Sequence, residues 1–175
     1  EKAEHFLERY RRALPGPGEL GVFARSHYED LIVPVVVDQM DDDAWQERVD
    51  EVNQFEADLV ANGTVVVKCL LHISFDEQRE RFLRRLRRDD KRWKFSESDL
   101  DTRANWNEYL AAYGRSVGAT MTDHAPWYVI PADHKWYRNW VIAHLLVGTI
   151  DEMGPTYPMP DLDLEALRDR LAPPN

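Results

Sequence analysis

From Arg79 to Lys94 the chain reads Arg-Glu-Arg-Phe-Leu-Arg-Arg-Leu-Arg-Arg-Asp-Asp-Lys-Arg-Trp-Lys. Nine of its 22 lysines and arginines fall here against three acids, so the stretch carries a formal +6 while the whole chain carries −10. Repeated guanidinium and ammonium groups on one helix suit phosphate, since each neutralises charge and arginine presents a fork of N–H donors. Arg81, Arg85, Arg88 and Arg92 recur at i, i+4, i+7 and i+11, which is one stripe of a helix. Lys91 and Lys94 follow, flanking Trp93. Charge alone is explained equally well by a solvated helix face. An acidic protein with one dense cationic segment is nevertheless built to hold an anion at one place.

Other side chains extend the same chemistry. Arg25 follows the apolar run Leu20 to Ala24, which reads as a buried strand. Ligands of open α/β folds sit at the carboxyl ends of strands, so Arg25 is expected to touch phosphate, with an ion pair to Glu29 as the alternative. Lys68 lies inside an apolar strand and is expected to meet a phosphate or a carboxylate. Asp133, Lys135 and Arg138 open a helix, where they contact nucleotide or phosphate or else form a helix-end ion-pair cluster. Trp93 is expected to pack against the core in preference to stacking on a base. The six histidines have no close pairing on one helix face and predict no metal site. His27 is expected to cap or pack, and Asp41 to Asp43 to charge a helix N-terminus.

These residues need elements to hold them. Residues 2–14 have helical spacing and stop at Pro15-Gly16-Pro17-Gly18. Ser26 and Glu29 are spaced as a capping box for the next helix, which Pro34 kinks or breaks. Asp41 to Asp43 cap a helix through Ala61 with Trp45, Val49, Val52, Phe55, Leu59 and Val60 on one face, ended by Asn62-Gly63. Thr64 to Ile73 predicts a central parallel strand buried on both faces. Ser74-x-x-Glu77 is a capping box opening the basic helix, whose inward face is Phe82, Leu83 and Leu86. Ser96-x-x-Asp99 caps another helix, anchored by Trp106, Tyr109 and Leu110. A strand is expected at Trp127 to Ile130, a long helix from Ala132 to Met153 and a short one from Asp163 to Leu171. Strands alternating with helices give an α/β fold with a mostly parallel sheet flanked by helices.

Composition narrows the classes. A chain of 175 residues suits one domain, and 43% hydrophobic residues suffice for a core. One cysteine, Cys69, excludes an intramolecular disulfide and fits a reducing compartment, so a cytoplasmic location is expected. No apolar run reaches membrane-spanning length, so no membrane association is expected. Strong acidity and the lack of a spread basic surface argue against a nucleic-acid partner.

Several segments together resemble the polyphosphate kinase 2 family. Gly21 to Asp30 (Gly-Val-Phe-Ala-Arg-Ser-His-Tyr-Glu-Asp) is similar to its Phe-[Asp/Asn]-Arg-Ser-x-Tyr segment. Lys68 to Arg81 is similar to its strand leading into a lid helix, and Asp90 to Lys94 to its Lys-x-Trp-Lys motif. His124 to Trp127 and Ile130 to Asn139 are similar to its last strand and helix. The resemblance runs in order from about Glu4 to about Leu171. It implies a P-loop, thymidylate-kinase-like fold with a helical lid of about residues 74–115, closing over reacting phosphates and excluding water. It implies phosphoryl transfer between inorganic polyphosphate and nucleoside mono- or diphosphates such as AMP, ADP or GDP, with Mg²⁺, in a homo-oligomer.

The resemblance assigns catalytic roles to Arg25, Arg81, Arg85, Lys91 and Lys94, and phosphate or nucleotide contacts to Lys68, Arg88, Asp133, Lys135 and Arg138. Arg81 and Arg85 are expected to face the carboxyl ends of Val22–Ala24 and Val65–Lys68. Two departures stand out. No glycine is followed by lysine, so the phosphate-binding P-loop is not found, and the reading is of a single partial kinase domain lacking the N-terminal P-loop segment. Ala24 occupies the position of a metal-binding Asp or Asn. The isolated chain is therefore expected to have little kinase activity, and a catalytically deficient binding homologue or fragment is the alternative.

Overall fold

A computed structural model describes residues 5–171. These form nine helices and a two-stranded parallel sheet, in the order α1 (Glu8–Arg11), α2 (Glu29–Val36), α3 (Asp42–Ala61), β1 (Lys68–His72), α4 (Phe75–Arg87), α5 (Asp89–Arg92), α6 (Ser98–Ala104), α7 (Trp106–Ala119), β2 (Trp127–Pro131), α8 (Lys135–Met153) and α9 (Leu164–Leu171). The chain divides into two compact units, Glu1–Val141 and Ile142–Asn175.

In the first unit the core lies where α2, α3 and α7 meet. Leu31 and Ile32 of α2 pack with Trp45, Val49, Val52 and Phe55 of α3, Ala112 of α7, and Leu7 and Tyr28. The 3.6-residue spacing of the α3 positions places them on one stripe, and burial of that stripe holds the helix. Asp41 caps α3 by accepting the Ala44 N–H at 2.8 Å, and Gly63, at φ 85°, turns the chain away beyond it. α2 runs through Pro34, which has no N–H to offer the Asp30 carbonyl. Arg48 of α3 supplies that donor at 3.0 Å, and the Trp45 indole donates to Leu31 O at 3.0 Å.

β1 and β2 pair from Lys68↔Trp127 to His72↔Pro131. Parallel strands need a long crossover. Here it is a helical insert, α4 to α7, containing the basic stretch. Ser74 caps α4 by accepting the Glu77 N–H at 3.1 Å.

Several expectations are corrected. Helix 2–14 shrinks to α1, and its residues 2–4 lie outside the described residues. Leu20 to Ala24 is not a strand: a strand needs a ladder partner, no described segment pairs with it, and Leu20 and Val22 are 66% and 81% exposed. Ser26 does not cap α2 through its side chain. A turn at 26–28 leads in, and Tyr28 occupies the cap position. The strand expected at Thr64 to Ile73 spans only Lys68–His72 because its partner begins at Trp127, and with Leu71 exposed it is not buried on both faces. Leu86 is exposed, leaving Phe82 packed on Phe95. The helix expected after Ser96 breaks at Asn105 into α6 and α7, and Leu110 is exposed while Ala112 and Ser116 turn inward.

The second unit contains the later part of α8 and α9. Gly154, at φ 57°, ends α8 by donating to Ile150 O, and Asp163 caps α9 through the Ala166 N–H at 3.0 Å. No helix among the described residues is long and apolar enough to cross a membrane.

Candidate functional site: a basic helix at the carboxyl end of the sheet

β1 ends at His72 and β2 at Pro131, and the segments that follow them come together. The Ser74 N–H donates to Asp133 Oδ1 at 2.7 Å. That N–H, and then the Ser74 hydroxyl, hold the Asp133 carboxyl below the usual aspartate range. His72, Ser74, Pro131, Asp133, His134 and Tyr137 line a cleft of about 250 Å³. Open α/β sheets bind ligands at this end.

The basic helix reaches that edge through Arg81. Its Nη2 donates to Ala132 O at 2.6 Å, and its Nε to Glu77 Oε1 at 2.8 Å. Glu77 also takes Arg84 at 2.8 Å, and these contacts, Arg81 foremost, hold its carboxyl below the usual range. Arg81 thus stands at the carboxyl ends of β1 and β2, four residues beyond the Lys68 end expected for it. Arg85 faces inside the insert, donating to Lys94 O and Asp99 Oδ2, both at 3.2 Å. Arg88 forks onto Asp90 at 3.0 and 2.8 Å, and Arg92 pairs with Asp89 at 2.7 Å. Lys91 lies on α5. Trp93 is 76% exposed, so it does not pack on the core; its indole donates to Asp90 O, and the Lys94 ammonium lies 5.0 Å from its ring.

α8 begins beside the cleft with Lys135, which is exposed, and Arg138 forks onto Asn139 Oδ1 at 3.1 and 2.7 Å. The structure therefore brings Arg81, Asp133 and the start of α8 together. Arg25 lies on the segment before α2. Its side chain is 84% exposed and 3.5 Å from Glu29, and its φ of 71° is a left-handed conformation that costs an arginine free energy.

Lys68 points inward. Its Nζ is 2.7 Å from Glu56 Oε2 and 2.6 Å from Thr120 O, with 2% of its side chain exposed. The carboxylate alternative is the one the structure realises, and Lys68 is removed from the surface that could meet phosphate. Burial lowers its pKa from the ordinary lysine value, and Glu56 opposes the shift. His27 reaches the other Glu56 oxygen at 3.3 Å and packs among Tyr10, Tyr28 and Phe55. Sequence reasoning missed Glu56. The signal was present, because Glu56 sits four residues after Val52 and seven after Val49, inside the apolar stripe of α3.

The resemblance implies magnesium, an ion usually held by one or two carboxylates together with water and substrate phosphates. No cluster of three His, Cys, Asp or Glu among the described residues could hold a metal ion, and Ala24 has no donor to offer.

The family model for polyphosphate kinase 2 matches residues 1–158. The chain is 43% identical to the AMP/ADP-polyphosphate phosphotransferase of Meiothermus ruber, over 95% of this chain and 62% of that protein. It is 38% identical to the ADP-polyphosphate phosphotransferase of Rhodopseudomonas palustris, over 90% of this chain and 59% of that protein. The crystal structure of polyphosphate kinase 2 from Arthrobacter aurescens superposes with a TM-score of 0.93 at 38% identity, covering 97% of this chain and 60% of that one. The chain thus spans about three fifths of the length of these relatives. With a basic helix set against the carboxyl end of a parallel sheet, and a family model matched over most of its length, this chain belongs to the polyphosphate kinase 2 family.

Proposed function

We propose that the protein takes part in phosphoryl transfer between inorganic polyphosphate and nucleoside mono- or diphosphates, on a P-loop kinase-like fold. One observation carries the reading: Arg81 joins the nine-cation stretch to the Ala132 carbonyl, at the sheet end where such folds hold their ligands. The names of the relatives support polyphosphate, AMP and ADP as substrates. GDP, a cytoplasmic location, a homo-oligomer and the absence of a nucleic-acid partner remain part of the proposal.

Phosphoryl transfer asks a protein chiefly for positioning and charge neutralisation. In this reading the insert is a lid. Arg81, Arg85, Arg88, Lys91 and Lys94 neutralise successive phosphates of the chain, and Arg25 contacts the transferring group. Lys135 and Arg138 meet nucleotide phosphates at the start of α8. Asp133, kept ionised by Ser74, orients the α4 terminus beneath them. Closing the basic stretch over the phosphates excludes the water that would otherwise accept the phosphoryl group.

Ala24 favours a second reading, a homologue that binds polyphosphate without transferring from it, since alanine replaces a side chain able to hold a cation. One assay separates the two: formation of ADP and ATP from AMP, ADP and polyphosphate with Mg²⁺, alongside equilibrium binding of polyphosphate. Turnover supports the enzyme, binding without turnover supports the second reading, and the absence of both refutes the site.

A further inference from the structure

The helical insert leaves the body of the first unit after β1 and returns to it at Thr120, just before β2. Its returning stem is held at one buried point, beside the start of the strand from whose far end the insert departs. Lys68, the first residue of β1, places its ammonium 2.6 Å from the carbonyl of Thr120, the C-cap residue of α7. The same ammonium is 2.7 Å from Glu56 of α3. Lys68 is also the register partner of Trp127, whose indole donates to Thr120 Oγ1 at 2.9 Å. One turn earlier on α3, Asn53 donates to the Ala119 carbonyl at 3.1 Å. Glu56, Lys68 and Thr120 are all buried. Strand start, helix end and second strand are thereby referred to one helix, α3.

A buried ion pair is a poor device for stability, because desolvation offsets the attraction; apolar residues of similar volume often do as well or better. Its directionality is what apolar packing lacks. The ammonium has three donors at fixed angles, two of which meet Glu56 and Thr120. A shift of the returning stem by an ångström would leave the buried ammonium without one of its partners.

We propose that Glu56 and Lys68 are positioning residues for the phosphate-handling insert: their buried pair, closed on the Thr120 carbonyl, fixes the returning stem of the insert to α3 and to the start of β1, and so restrains how the insert, with Arg81, stands at the carboxyl end of the sheet. The functional half of this inference rests on the phosphate reading of the basic helix; the structural half does not.

The test is amide hydrogen exchange on the wild-type chain, on a Glu56→Leu/Lys68→Met variant that replaces the pair by apolar groups, and on Trp127→Phe, which deletes one hydrogen bond of the node without stranding a charge. Residues 42–61 of α3 serve as the internal reference. In ligand-free protein the double variant is expected to exchange roughly tenfold faster at residues 74–104 with little change at 42–61, and Trp127→Phe roughly threefold faster. Unchanged exchange at 74–104 in both variants, or an equal rise at 42–61, overturns the inference. Should the double variant not fold, Trp127→Phe decides alone. Adding long-chain inorganic polyphosphate is expected to protect 74–104 in wild type and to do so less in the variants. Wild type gaining no protection refutes the phosphate reading, whereas the ligand-free arm still decides the positioning role.

Discussion

Arg81 places one donor on Glu77 of its own helix and another on the Ala132 carbonyl beyond β2, and so ties the basic stretch to the sheet edge. Removing it takes away a charged donor at the proposed phosphate contact. Arg81→Ala is expected to weaken polyphosphate binding by about ten- to a hundredfold, read by equilibrium titration. Arg25 and Lys94 are proposed to act on the transferring phosphoryl group. In an active enzyme Arg25→Ala and Lys94→Ala should each slow polyphosphate-dependent nucleotide phosphorylation by on the order of 10²- to 10³-fold, and near-native rates in both would misplace the site. Asp133 carries a pH signature. Ser74 depresses its pKa in the folded state only, so the contact adds stability at neutral pH and above, and loses it as pH falls below the ordinary aspartate range through the folded value. Asp133→Asn should flatten that acidic limb in unfolding measurements across pH; an unaltered limb would show the contact is not formed. At this scale the sequence exposed the cations, whose charge density is visible without coordinates. It hid their acidic partners. Arg85 with Asp99, and Lys68 with Glu56, are contacts across 14 and 12 residues that no short motif reveals.

At the scale of elements, local signals succeeded where the interaction was local. Asp41 and Ser74 cap α3 and α4 through N–H groups three residues on, as their spacing announced. Ser74→Ala should therefore cost about 1 kcal/mol, measured by chemical denaturation, and an unchanged midpoint would argue that water replaces the cap. Signals failed where a distant partner decided. Leu20 to Ala24 has strand composition but no ladder partner among the described residues, and β1 is only as long as β2 allows. Pro34 did not break α2, because Arg48 from another helix replaced the missing donor. Arg48→Met leaves the Asp30 carbonyl unsatisfied and should destabilise by about 1–3 kcal/mol. Pro34→Ala in that background should recover part of the loss by restoring an N–H, and no recovery would contradict this account of how α2 passes Pro34.

For the whole molecule the informative quantity is the contrast between a chain of net charge −10 and one stretch of +6. Acidic surroundings repel polyanions from the rest of the surface and leave the basic helix as the place of approach. The fold class was legible, since alternating strand and helix signals imply a parallel sheet, and the crossover between β1 and β2 carries the basic helix as read. The apolar strand that read as doubly buried is exposed at Leu71, which sequence periodicity alone did not foretell. The central claim is that the basic helix holds polyphosphate at the carboxyl end of the sheet. Equilibrium binding of long-chain polyphosphate to the wild-type chain and to Arg81→Ala/Lys94→Ala, at low and at physiological salt, tests it most directly. Wild type should bind at least about tenfold tighter than the double variant, with a gap that narrows as salt screens the partly exposed contacts. Equal affinities for the two proteins at both salt concentrations would contradict it.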